Sequence, residues 1–155
     1  MNYLLPLIAV ILGYILALVI QPKKKSNLKL LLAFSGSFLL SVTVISLLPE
    51  VYETKNTTIG LYIMLGILFQ IILEFFSKGA EHGHVHGHQT ISHIPWLLFI
   101  SLCIHALLEG FPVGHHHDLS IGIAIHHLPI AIILTTFFVQ AQLNKKAIFA
   151  FMITF

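Results

Sequence analysis

His105 and Glu109 stand four residues apart in one apolar stretch, and His126 and His127 stand side by side in the next. Helical spacing of four puts the first two on one face, a turn apart, where an imidazole and a carboxylate can grip the same ion. An ionisable group in hydrocarbon costs a few kcal/mol, so such groups usually face a cavity or one another and mark an ion pathway. A neutral imidazole is a borderline donor and a carboxylate a hard one. That mixture suits Zn²⁺, and admits Fe²⁺, Mn²⁺ or Cd²⁺. Pro112 and Pro129 add a second indication, because each removes an amide donor and frees the carbonyl four residues earlier, at Leu108 and Ile125. Bare carbonyls at membrane depth are tolerated beside cavities, and interrupted helices are how transporters build midplane sites.

The chain holds 11 histidines in 155 residues, and most lie outside the apolar stretches. Glu81, His82, His84, His86, His88 and His93 form a glycine-interrupted tract between positions 78 and 93, the pattern of a flexible metal-binding loop. His115, His116, His117 and Asp118 form a second cluster at the mouth above the paired site, placed to raise the local metal concentration. The single cysteine, Cys103, permits no intramolecular disulfide and falls on nearly the opposite helix face from His105. Gln70 and Glu74 read as the wetted end of their segment.

These residues need helices long enough to hold them at depth. With 57% hydrophobic and 9% charged residues, the chain is far from the roughly 25% charged composition of soluble domains. Crossing the hydrocarbon layer takes about 20 apolar residues in helix. Five such stretches run from Tyr3 to Gln21, Leu30 to Pro49, Ile59 to Ser77, Ile94 to Gly114 and Leu119 to Val139, and the start of a sixth runs from 147 to 155. The expectation is an all-α polytopic membrane protein, a single membrane domain over 1–155 whose sixth helix is incomplete. Antiparallel packing of the fourth and fifth segments allows a depth check. At the α-helical rise, Glu109 lies about 7.5 Å below the outer end, His126 about 10.5 Å and His105 about 13.5 Å. Three placements thus converge on one depth.

Lysines sort by alternate connections. Lys23, Lys24, Lys25, Lys29, Lys78, Lys145 and Lys146 fall in the first, third and fifth, against Lys55 alone in the others. Positive charge collects on cytoplasmic loops, so the amino terminus is expected outside and the histidine-rich loop inside. The lysines follow the first apolar run, which argues for a retained helix and against a cleaved signal peptide. Asn56, Thr57 and Thr58 match a glycosylation sequon that carries little weight in so short a loop. Ala33, Ser37 and Ser41 form a stripe of small residues that would let a neighbouring helix come close. A net charge of +2 built from lysine without arginine excludes a nucleic-acid surface.

His105-Ala106-Leu107-Leu108-Glu109-Gly110 with Pro112 and Gly114 resembles the fourth-helix signature, His-Asn/Ser-x-x-Asp/Glu-Gly, of the ZIP (Zrt/Irt-like) metal transporters. His126-His127-Leu128-Pro129 resembles their fifth-helix His-x-x-Pro-Glu, and Leu47-Leu48-Pro49-Glu50 the end of their second helix. The resemblance spans the chain and rests on two short motifs. It implies His105, Glu109 and His126 as transport-site ligands with His127 contributing, eight helices in the intact protein, a homodimer, and import toward the cytoplasm by a unit that slides or rocks against a scaffold. Three positions depart from the pattern. Ala106 replaces Asn or Ser, Ser46 replaces a second-helix histidine, and Ile130 replaces the second carboxylate of helix five, which implies one metal in place of two.

The resulting expectation is a divalent-metal carrier of the plasma membrane, not an enzyme, with zinc as its cargo and lipid as its surroundings. Two alternatives use the same residues. His105 and His126 could hold a haem iron axially in a membrane haem protein or metalloenzyme, although Glu109 has no role beside a porphyrin. A cation diffusion facilitator exporter would also use histidine and acid pairs, but on nonadjacent helices.

Overall fold

The computed structural model describes residues 3–20, 25–54, 56–77, 95–114 and 117–154, and among them every regular element is a helix. In chain order these are α1 (Leu4–Ile20), α2 (Lys25–Val42), a π-helical turn (Thr43–Leu47), α3 (Leu48–Glu53), α4 (Ile59–Ser77), α5 (Trp96–Gly110), a 3-10 turn (Phe111–Gly114), α6 (His117–Gln140) and α7 (Lys145–Thr154).

Among the described residues, four stretches are long and apolar enough to cross a membrane: Lys29–Glu53, Ile59–Phe76, Trp96–Gly114 and His117–Gln140. The first segment, expected to be a fifth span, forms a shorter helix of 17 residues. The second segment was expected to end at Pro49, but helix continues to Glu53. Pro49 lacks an amide to donate to the carbonyl of Ile45, four residues back. The chain meets this by widening, the Leu48 amide donating to the Thr43 carbonyl five residues earlier, and so keeps its direction past the proline. At the fourth segment Pro112 has a stronger effect. The α-helix stops at Gly110 and tightens into the 3-10 turn.

The centre of the fold is α6. Buried residues occupy nearly every side of it, from Leu119 and Ile123 through Ile130, Leu134 and Phe138, and it packs against α1, α2 and α7. Gly13 explains how close α1 comes, since a Cβ there would sit 2.7 Å from both the Ala131 Cβ and the Leu128 carbonyl oxygen. In lipid, where apolar burial gives little drive, such small-residue contacts let backbones approach and dispersion contribute. Phe151 of α7 closes the end of the core near the C-terminus of α6, its ring 4.7 Å from Phe138 and 4.9 Å from Phe99. The α6–α7 corner is a helix stop of the Schellman type, with Gln142 at φ 59° and the Leu143 amide donating to the Phe138 carbonyl at 3.0 Å. Asn144 then caps α7 by accepting the Lys146 amide at 3.0 Å.

The stripe Ala33, Ser37 and Ser41 does not pack as expected, for all three are exposed. The buried side of α2 carries Leu32 and Ser35. The hydroxyls of Ser37 and Ser41 are instead spent on carbonyls of their own helix, those of Ala33, Phe34 and Ser37. The sequon asparagine has a local structural use: Asn56 Oδ1 accepts the Thr58 amide at 3.0 Å and its hydroxyl at 2.8 Å, just ahead of α4. Beyond this start α4 packs chiefly on α5 and leaves most of its apolar side chains exposed.

Candidate metal centre

Glu109 projects from the last turn of α5 and His105 from the turn before it. Their separation of one helical turn brings His105 Nε2 to 3.2 Å from Glu109 Oε1. From α6, His126 Nε2 lies 3.9 Å from Glu109 Oε1 and His127 Nε2 lies 3.7 Å from Glu109 Oε2. Adjacent residues on a straight helix point about 100° apart. Both rings nonetheless reach the carboxylate, standing nearly perpendicular at an interplanar angle of 82°.

One donor atom each from His105, Glu109 and His126 lies within 4.8 Å of the others, a spacing one cation can bridge. Tetrahedral zinc with ligand bonds near 2.0 Å separates its donors by about 3.3 Å. The His105–Glu109 pair already stands at that distance, and the His126 contact is longer by a side-chain adjustment. The cage is shielded, with 10%, 16%, 14% and 6% of the side chains of His105, Glu109, His126 and His127 exposed. Glu109 Oε2 is buried and accepts no hydrogen bond among the described residues, although buried carboxylate oxygens ordinarily have a partner. A cation or a protonated imidazole would satisfy it.

Outside the cage the rings of His127 and His105 are held by different devices. His127 Nδ1 stands 2.9 Å from the Ile123 carbonyl one turn earlier, and His105 Nδ1 stands 3.1 Å from Gln70 Oε1 on α4. Gln70 was read as part of a wetted helix end, and the structure corrects this. It reaches across to α5 and lines a cavity of about 650 Å³ together with Gly66, Phe69, His105, Leu108, Glu109 and His126. Its depth, seven residues inside the end of α4 at Ser77, was a signal available in the sequence. Ser101 fixes the register of the two helices by donating to the Leu73 carbonyl at 2.7 Å.

The outer cluster divides. His117 and Asp118, expected in a loop, form the exposed first turn of α6, where an acidic side chain complements the helix dipole. His115 and His116 lie outside the described residues, as do His82, His84, His86, His88, His93 and the rest of the 78–93 tract. At the positions that depart from the resemblance, Ile130 is 1% exposed in the core and Ser46 is exposed in the π turn. Compared with family models, curated proteins and solved structures, the chain has no match among them.

Proposed function

We propose that the protein carries divalent transition metal ions across a membrane, with zinc as the principal cargo and His105, Glu109 and His126 as the ligands that hold it in transit. The supporting observation is the convergence of three imidazole nitrogens from α5 and α6 on the one carboxylate of Glu109, at 3.2, 3.9 and 3.7 Å. Two nitrogens and a carboxylate oxygen leave tetrahedral zinc a fourth position for water or His127. An incomplete set of borderline donors holds an ion without trapping it, as a carrier requires. The ZIP-like signatures around His105 and His126 are consistent with this chemistry. In the same reading the amino terminus is outside, the metal enters the cytoplasm, the location is the plasma membrane, and two copies assemble as a dimer.

The haem alternative fares worse on geometry. Glu109 Oε1 stands 3.2 and 3.9 Å from the two nitrogens that would be axial ligands, in the space the porphyrin plane would need. Zinc uptake into proteoliposomes tests the reading, comparing the parent with His105→Ala, Glu109→Ala and His126→Ala. The parent should accumulate zinc and each variant should lose most of that flux; equal flux in all four would refute the assignment.

A further inference from the structure

We propose that Gln70 is a positioning residue: its side-chain oxygen holds His105 in the tautomer protonated at Nδ1, which turns the bare Nε2 lone pair toward Glu109. Its use rests on the metal-carrier reading above, whereas the tautomer itself can be measured without any metal. A neutral imidazole has one N–H and one lone pair, and the group facing each nitrogen decides which is where. His105 faces two such groups, Gln70 Oε1 at 3.1 Å from Nδ1 and Glu109 Oε1 at 3.2 Å from Nε2. Were Nε2 to carry the proton, the cage would lose a ligand and the Nδ1 lone pair would be set against Gln70 Oε1. With Nδ1–H donating to Gln70, Nε2 is left for a cation.

His127 serves as an internal reference. Its Nδ1 faces the Ile123 carbonyl at 2.9 Å, and a carbonyl only accepts, so the ring donates there and Nε2 faces Glu109 Oε2 at 3.7 Å. Two rings on different helices therefore turn Nδ1 outward to an oxygen and Nε2 inward to the same carboxylate. Metal-binding histidines are commonly held this way by an outer acceptor. His127 takes its acceptor from its own helix, while His105 takes it from a neighbour. Helix α4 can supply it because the Ser101–Leu73 hydrogen bond fixes the register one turn away. An amide suits the task better than a carboxylate, since it accepts the hydrogen bond without adding a second negative charge beside Glu109.

Ring-nitrogen NMR of histidine-¹⁵N-labelled full-length protein in detergent, metal-free and at mildly alkaline pH, tests this directly, with the His105 signals assigned by their loss in His105→Ala. The parent should show His105 protonated at Nδ1. Gln70→Met, which conserves volume and helix propensity but removes the acceptor, should shift His105 toward the Nε2–H form and leave His127 unchanged. Gln70→Glu should restore the Nδ1–H form. Zinc affinity should fall about 10–100-fold in the methionine variant and largely recover in the glutamate variant. A His105 tautomer indifferent to Gln70→Met overturns the proposal whatever zinc does. A tautomer that follows Gln70 in a parent that binds no zinc upholds the positioning role and defeats the carrier reading instead.

Discussion

At the scale of single residues, the chemistry turns on Glu109, which among the described residues is the one carboxylate that meets imidazole nitrogens from both α5 and α6. Glu109→Gln keeps the shape and removes the charge. It should weaken zinc binding, read by competition with a chromophoric chelator, by more than the ~10–100-fold that follows loss of an outer partner. His127→Ala should cost less than His105→Ala, because His127 lies outside the group whose donors fall within 4.8 Å of one another. On the carrier reading protons and zinc compete for the same Nε2 lone pairs, and binding would release protons. Affinity should therefore rise with pH until the imidazoles are fully deprotonated; an affinity independent of pH at every acidity would count against imidazole ligation. Helical spacing and a depth count along two segments pointed to His105, Glu109 and His126, whose donor atoms the structure brings within 4.8 Å of one another. Yet α5 packs chiefly on α4 and meets α6 mainly through these side chains. Gln70 was not recognised, since an amide carries no titratable signal and its partner sits on another helix. The ring orientations of His105 and His127 depend on outer acceptors that no spacing rule reveals.

At the scale of elements, helix existence could be read from apolar length, while helix faces could not. A helix apolar on all sides offers no stripe to mark its buried side. This is why the Ala33, Ser37 and Ser41 stripe misled: small residues permit close approach but do not require it, and Leu32 and Ser35 are buried instead. The prolines were only partly informative: Pro112 follows the end of its helix, whereas α6 runs uninterrupted from His117 to Gln140 through Pro129, against the expected interruption. Pro49 yields a widened turn and Pro112 a tightened one, a difference set by what each chain does next. Gly13 makes the α1–α6 contact testable. Gly13→Val places atoms where a Cβ alone would meet Ala131 and Leu128 at 2.7 Å. Overpacking of this kind costs about 1–3 kcal/mol, so thermal melting in detergent should shift clearly downward, whereas Gly66→Ala, where nothing lies within 4 Å of an added Cβ, should not lower it.

At the scale of the whole molecule, the sequence sets seven lysines on one group of connections against Lys55 on the other, which predicts a sidedness that can be tested. A cysteine-free background, Cys103→Ser, carrying single cysteines at Thr57 or Lys146 would test the sidedness with a membrane-impermeant maleimide on intact cells. Labelling at 57 and protection at 146 is expected, and the reverse pattern would invert the direction of transport. The packing is less even than the charge. Most of the buried side chains gather around α6, but the wall that carries Gln70 belongs to α4, which has two buried apolar residues, Ile59 and Leu73, and leans chiefly on α5. Warming should therefore detach that wall before the α6 core melts. On the carrier reading, zinc retention should fade several degrees below the temperature at which circular dichroism reports loss of helix, leaving a chain still folded but no longer able to hold an ion.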